Sequence, residues 1–216
     1  MSDLDNSLLS YEIPLWDRGL SCVVGIDEVG RGPLAGPVVV AAVSFPQNSL
    51  PPLVDDSKKL TESKREKLYD EIVSFPGIKY SIVEKDSLFV DKYNILQATH
   101  IAMREAAMNI TNVEFALIDG LPVKNFPVPS EAIVKGDSKS ASIAAASILA
   151  KVYRDRLMVD YAKKYPGYGF ENNKGYGTKQ HLAAIKDIGI TPIHRRSFAP
   201  VKDILNPPPV QTEFNF

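Results

Sequence analysis

Two runs rich in β-branched residues, 22–27 and 38–44, flank a segment rich in glycine and proline. Their β-branched content and length, with turn residues between them, predict two buried strands. A proline-rich loop (Pro46, Pro51, Pro52) follows, and Ser63 with Glu66 forms a capping box opening a helix that runs to about 74. Alternation over 79–84 gives a third strand, and 86–110 is helical with a break near Tyr93. Short apolar runs at 115–119, closed by Asp119-Gly120, and at 131–135 give a fourth and a fifth strand. The longest helical pattern, 138–164, has a first half crowded with alanine and serine, small enough to let a helix lie close on a sheet. A loop rich in glycine and tyrosine (166–177), a helix over 178–188 and a proline-rich tail from 206 complete the pattern. Strands in succession, then strands alternating with helices, predict an α/β fold with a mixed sheet and helices on its faces. Residues 1–20 show little periodicity and read as a flexible N-terminal arm in which Leu15 and Trp16 can pack locally. The chain thus divides into an arm (1–20), a main domain (21–165), a helical and loop extension (166–205) and a tail (206–216).

Composition narrows the chemistry. With 44% hydrophobic and 24% charged residues over 216 positions, the chain has material for one sizeable core. Its single cysteine, Cys22, excludes an intrachain disulfide and a cysteine-built zinc site, and its place in an apolar run makes it core. His100, His181 and His194 lack the spacing of a metalloprotease or zinc finger, so any chemistry rests on carboxylates. No apolar run is long enough to span a membrane, and the first 20 residues lack the basic start and apolar core of a signal peptide. A cytoplasmic protein without a membrane partner is the expectation. The net charge of −1 hides an asymmetry: 151–202 carry 11 Lys/Arg against 4 Asp/Glu. A basic third beside an acidic body suits a phosphate-binding surface facing a metal site, and equally a solvated basic helix face.

The acids fall at element ends. Asp27 and Glu28 close the first strand and are followed by Gly30-Arg31-Gly32-Pro33. Adjacent carboxylates offer hard oxygen ligands, and glycines around Arg31 let a ligand approach the main chain while the guanidinium holds an anion. An isolated Asp-Glu pair before a Gly/Pro turn reads more readily as a solvated turn, so the other acids decide. Asp119 ends a strand in the same manner as Asp27, and Asp137 stands just before the small-residue helix, where a capping role is the simpler assignment. Together with Glu28 they make four carboxylates, a ligand set for two divalent ions about 4 Å apart, an arrangement that does phosphoryl chemistry.

The segment Gly25-Ile26-Asp27-Glu28-Val29-Gly30-Arg31-Gly32-Pro33-Leu34-Ala35-Gly36-Pro37, continuing through Val38-Val39-Val40-Ala41-Ala42, resembles the signature of bacterial ribonuclease HII, the type 2 ribonuclease H. Four further blocks agree in order and spacing: Asp56-Ser57-Lys58-Lys59-Leu60; Ile118-Asp119-Gly120; Gly136-Asp137-Ser138-Lys139 on through Arg154-Asp155; and His194-Arg195-Arg196-Ser197-Phe198. The resemblance spans roughly 22–202 and implies a ribonuclease H-like fold: a mixed central five-stranded sheet flanked by helices, with a small helical C-terminal extension. It also implies that Asp27, Glu28, Asp119 and Asp137 bind two divalent cations, Mn²⁺ or Mg²⁺. The implied activity is cleavage of the RNA strand of RNA/DNA hybrids and nicking 5′ to a single ribonucleotide in duplex DNA, leaving 3′-hydroxyl and 5′-phosphate ends. Ribonuclease HIII, the nearest alternative, has a long N-terminal domain, a different block after Asp-Glu-Val-Gly and Glu as fourth acid. A short N-terminus, Gly30-Arg31-Gly32 and Asp137 favour HII. A non-catalytic member of the fold is the other alternative, against which the four retained acids count.

In the family the Gly-Arg-Gly segment contacts the 2′-hydroxyl, and a tyrosine of the C-terminal loop packs on the neighbouring deoxyribose. Here the match is Gly30, Arg31, Gly32 and Tyr176, with Tyr168 a second tyrosine in a similar glycine setting. Lys58, Lys59, Lys139, Arg195 and Arg196 are candidates for phosphate contacts. His194 reads as structural, and Asp155 as a helix-surface ion-pair partner. The end of the tail, Gln211-Thr212-Glu213-Phe214-Asn215-Phe216, faintly resembles peptides that dock on DNA sliding clamps. The enzyme is expected to act as a monomer.

Overall fold

The computed structural model describes residues 8–49, 51–52 and 60–206. Its elements, in chain order, are α1 (Glu12–Asp17), β1 (Val23–Val29), β2 (Val38–Ser44), α2 (Glu62–Val73), β3 (Lys79–Lys85), α3 (Ser87–Met108), β4 (Phe115–Asp119), β5 (Ser130–Ile133), a 3₁₀ turn (Gly136–Ser138), α4 (Ala141–Lys164), α5 (Phe170–Asn173), α6 (Lys179–Ile188) and α7 (Val201–Leu205). The five strands form one sheet in the order β3-β2-β1-β4-β5. β1 runs antiparallel to β2, and β2 to β3, whereas β4 and β5 run parallel to β1.

Side-chain alternation divides the central strands between two faces. Val24 and Ile26 join Val40, Ala42, Ala116 and Ile118 under Ala102, Met103 and Ala106 of α3. On the opposite face Val39, Ala41 and Val43 meet Ala145, Ala146, Ile148 and Leu149 of α4, with Leu68 and Ile72 of α2. With both faces covered, β2 is buried at every position, while β3, on the edge, is largely exposed or half-buried. Gly25 sets the closeness of α4 to β1. A Cβ there would lie 2.1 Å from the carbonyl carbon of Ser142 and 2.2 Å from the nitrogen of Ile143. The alanine- and serine-rich first half of α4 is what allows that contact.

Several boundaries move. Thr61, not Ser63, caps α2, its side chain accepting from the Lys64 N–H. Ser140 caps α4 by accepting from the Ile143 N–H, so Asp137 is not the cap. The break in α3 falls at Asn94 (φ 62°), as expected near Tyr93, and a single-turn helix, α5, sits inside the glycine-rich loop.

The N-terminal segment needs a larger correction. From Leu8 onward it is not a flexible arm. Leu9, Leu15 and Trp16 are buried against Val23, Leu117, Ile133 and Ile143. Buried Glu12 accepts from the Ser140 hydroxyl (2.6 Å), the Ser142 hydroxyl (2.6 Å) and the Ser142 N–H (3.0 Å), and the Ala141 N–H donates to the Leu8 carbonyl (2.7 Å). The start of α4 presents N–H groups that no intrahelical carbonyl can take, and a segment some 130 residues away supplies the acceptors. Local periodicity carries no trace of such a partner.

The C-terminal extension shares its core with the main body. Tyr168, Phe170, Ala184, Ile185 and Val201 pack with Leu34, Ala35 and Met158. No helix among the described residues is long and apolar enough to cross a membrane.

Candidate active site

The parallel pairing of β1 and β4 is registered to Ile26 opposite Ile118, so the next residues, Asp27 and Asp119, sit at the same sheet edge. Asp27, Glu28 and Asp119 line one cavity of about 310 Å³ with Arg65, Ser147, Ile148 and Lys151. Helix and strand geometry explain why Ser147 is there. Two residues along β1 from Gly25 to Asp27 advance about 6.6 Å, and four along α4 from Ile143 to Ser147 advance about 6 Å. The contact at Gly25 therefore carries forward to Ser147 beside Asp27, and one turn later to Lys151.

Burial, then the charges of Glu28 and Asp119, push the Asp27 carboxyl up to about 8, opposed by hydrogen bonds from Ser147 and from the Glu28 N–H (2.7 Å). Burial also raises Glu28, opposed by Arg31, whose Nη1 lies 3.1 Å from Glu28 Oε1. Asp119 Oδ1 accepts from the Gly136 N–H at 2.6 Å, which ties the end of β4 to the 3₁₀ turn that carries buried Asp137. Asp137 itself stands beside, not on, the described lining of the cavity.

This donor set fits divalent cations. All of it is hard carboxylate oxygen, and the burial and, after it, the neighbouring charges that lift Asp27 are what a cation would offset. Among the described residues no group of three His, Cys, Asp or Glu side chains forms a metal site by itself.

The Gly30-Arg31-Gly32 turn lies beside this cavity and is held from behind by two arginines. Arg195 donates to the carbonyls of Gly30 (2.5 Å), Arg31 (2.8 Å) and Gly36 (2.9 and 3.1 Å). Arg154 donates to those of Pro37 (3.0 Å), Ala35 (3.2 Å) and Lys174 (2.9 Å). Both side chains are fully buried. Burial lowers them, Arg154 to about 10 and Arg195, with Arg154 beside it, to about 9, and both stay charged at neutral pH. Gly30 (φ 89°) permits this packing, since a Cβ there would meet Arg154 Nε at 2.3 Å.

Arg195 therefore departs from its expected role as a phosphate contact: it is enclosed, and its guanidinium serves main-chain carbonyls. Arg196 is exposed, with its N–H bonded to Asp91 (2.9 Å). Lys139 is exposed, its ammonium on the Val134 carbonyl (2.8 Å). Lys58 and Lys59 lie outside the described residues, as does the tail from 207.

The two tyrosines separate cleanly. Tyr168 is buried, stacked on Phe170, and donates its hydroxyl to the Gly189 carbonyl at 2.8 Å. Tyr176 is 47% exposed, and its ring lies 3.6 Å from where a Cβ on Gly32 would be. Asp155 pairs with Lys151 at 2.7 Å, one helical turn away. His194 is buried.

Sequence reasoning passed over Arg65, Ser147, Lys151 and Arg154. Positions 143, 147 and 151 follow the i, i+4 rule of one helix face, a signal present in the sequence but without meaning until Gly25 fixes which face meets β1.

Fold and acid-lined cleft together define a hydrolase of the ribonuclease H-like class. A family model described as Ribonuclease HII matches residues 24–201, and the chain belongs to that family. It is 51% identical over 199 residues to the ribonuclease HII of Ligilactobacillus salivarius (91% of this chain, 77% of that one). To that of Endomicrobium trichonymphae it is 48% identical over 212 residues (97% and 99%). Among solved structures it is similar to the ribonuclease H2 of Pyrococcus horikoshii, at TM-score 0.73 and 26% identity over 85% of this chain and 96% of that one. It is also similar to the ribonuclease HII in a PCNA complex from Archaeoglobus fulgidus (TM-score 0.70, 26% identity, 82% and 95%). Bst-RNase HIII in complex with Mn²⁺ shares the fold at TM-score 0.63 and 19% identity, over 86% of this chain and 69% of that one. The chain is thus an endoribonuclease that hydrolyses the RNA strand of RNA/DNA hybrids.

Proposed function

We propose that the enzyme also nicks duplex DNA 5′ to a single embedded ribonucleotide, with Asp27, Glu28, Asp119 and Asp137 holding two ions, Mg²⁺ or Mn²⁺. The observation that carries this reading is the exposed Tyr176 ring against Gly32, within a few residues of Glu28. A ribonucleotide in DNA differs locally by one 2′-hydroxyl. Carbonyls of 30–37 that are engaged by Arg154 and Arg195 brace this turn from inside, and Gly32, unlike buried Gly30, is exposed to an approaching sugar. Tyr176 supplies a flat surface for the adjoining deoxyribose. Together they read one ribose followed by one deoxyribose.

When bound, the ions supply a water of lowered pKa and positive charge for the leaving oxygen. The chain's own groups do the rest. Ser147 and the Glu28 N–H fix Asp27, the Gly136 N–H fixes Asp119, and Lys151 and Arg65 offset the phosphate charge that enters the acidic cavity. Lys139 and Arg196 do not line the cavity and in this reading touch flanking phosphates, with Lys58 and Lys59 as further candidates for such contacts, which position the duplex without reading its sequence.

The test is a DNA duplex with one ribonucleotide, incubated with Mg²⁺ or Mn²⁺ and wild-type, Asp27→Asn or Tyr176→Ala protein. Wild type should give one metal-dependent nick, and Tyr176→Ala should lose more on this duplex than on a long hybrid. Absence of that nick refutes the reading. In this reading the enzyme acts as a monomer in the cytoplasm, and sedimentation checks the oligomeric state. The PCNA complex of the Archaeoglobus relative makes a sliding clamp a candidate partner for 211–216. Unchanged clamp binding after deletion of 207–216 would exclude it.

A further inference from the structure

His181 and His194 take no part in the chemistry above, yet they are the two buried histidines of the described chain, with 0% and 1% exposure. They lie Nε2 to Nε2 at 3.0 Å, inside a cluster with Tyr168 and Phe170 whose nearest ring centroids are 5.2–5.3 Å away. Their surroundings leave one arrangement of protons. The Thr191 N–H donates to His194 Nδ1 at 2.9 Å, so that nitrogen is bare and His194 carries its proton on Nε2. That proton points at His181 Nε2, which must accept. His181 then carries its proton on Nδ1 and donates it to the Tyr176 carbonyl at 2.8 Å.

The chain Thr191, His194, His181 and Tyr176 is therefore a directed relay of hydrogen bonds ending on the backbone of the exposed tyrosine. Its origin matters. The segment 193–195 is bound to 34–36: Gly36 N–H to the Ile193 carbonyl (2.9 Å), Arg195 N–H to the Leu34 carbonyl (2.8 Å), and His194 bridged to Ala35. Arg195, the next residue after His194, grips the carbonyls of Gly30 and Arg31. One dipeptide thus reaches the glycine turn through Arg195 and the tyrosine through His194 and His181.

We infer that His194-Arg195, acting through His181, sets the register of Tyr176 against Gly30-Arg31-Gly32, making both histidines positioning residues for ribonucleotide recognition. The inference rests on the reading of those residues as the junction sensor. A merely structural pair would lower stability and reduce cleavage of every substrate alike. A positioning pair weakens the substrate that needs Tyr176, because a displacement near 1 Å in a recognition element can reduce rate as much as 100-fold.

The experiment uses two isosteric halves of His181. In His181→Asn the amide nitrogen occupies the Nδ1 position and keeps the donor to Tyr176. In His181→Gln the amide reaches the Nε2 position and keeps the contact with His194 but loses that donor. Values of kcat and KM are measured on a single-ribonucleotide duplex and on a uniform hybrid, with folding checked by circular dichroism. His181→Gln should lose about 10-fold more kcat/KM on the single-ribonucleotide duplex than on the hybrid, and His181→Asn should recover most of it. In a Tyr176→Ala background His181→Gln should add no further selective loss. If Tyr176→Ala is selective but folded His181→Gln is not, the positioning role is overturned and the sensor stands. If Tyr176→Ala itself is unselective, the sensor reading fails and takes the positioning role with it. Imidazole ¹⁵N spectra give a readout apart from activity: Nδ1–H on His181 and Nε2–H on His194 are required, and the opposite tautomers overturn the relay.

Discussion

Substituting Gly25 by alanine tests how the sheet and α4 together build the site. The new Cβ would sit 2.1 and 2.2 Å from backbone atoms of Ser142 and Ile143, where ordinary contact begins at 3.4 Å. Neither neighbour is a flexible side chain. β1 is fixed by β2 and β4 on either side, so α4 must lift by roughly 1 Å or more along its first turns. Overpacking a core by one methyl costs about 1–3 kcal/mol where side chains can adjust. With backbone on both sides the upper end, about 3 kcal/mol, is expected. For a urea slope near 3 kcal/mol/M that lowers the unfolding midpoint by about 1 M. The lift also draws Ser147 away from Asp27 and Lys151 from the cavity, since both ride on the helix that Gly25 seats. Urea unfolding and cleavage of a uniform hybrid should therefore fall together. A Gly25→Ala protein with wild-type midpoint and wild-type kcat would refute the claim that this contact sets the position of α4.

Three further outcomes are expected. Asp27→Asn should abolish cleavage while leaving the unfolding midpoint in EDTA equal to or above wild type, because burial, Glu28 and Asp119 already disfavour the carboxylate; a clear drop in midpoint would contradict this. Arg195→Lys should cost about 2–4 kcal/mol in urea unfolding, since a lysine cannot serve the three carbonyls that the planar guanidinium reaches from inside the core; a loss under 1 kcal/mol would make Arg195 dispensable to the turn. Stability should fall in mild acid through His194, which burial and then His181 lower from 6.5 to about 4, with the Tyr168 phenol, Phe170, Thr191 and the Tyr176 carbonyl facing the pair. The unfolded chain takes up this proton first, so the stabilisation is complete above 6.5 and drains away between 6.5 and about 4, at up to about 1.4 kcal/mol per pH unit. Urea midpoints across that window, against His194→Gln, measure it, and parallel profiles would dismiss the histidine as the source.

The strands were legible because burial on both faces writes itself as continuous runs, as at 38–44. What could not be read locally was every feature whose partner lies far along the chain. Glu12 looks like one more acid in a polar stretch until α4 places Ser140 and Ser142 beside it. Thr61 displaced Ser63 as the cap of α2 because the helix begins two residues earlier than the capping box implied.

The same distinction runs through the site. Asp27, Glu28 and Asp119 announce themselves at strand ends, where a short motif and the register of two strands carry the information. Arg195 does not. In the sequence an arginine next to another arginine near a basic C-terminal third is a phosphate contact, and only its enclosure among the carbonyls of Gly30, Arg31 and Gly36 makes it part of the scaffold. A buried guanidinium must satisfy its donors, and main-chain carbonyls turned inward must find donors. These two needs meet in one contact. The cation that charge counting assigned to the substrate thus braces the Gly30-Arg31-Gly32 turn from inside, whereas Arg196 beside it is exposed.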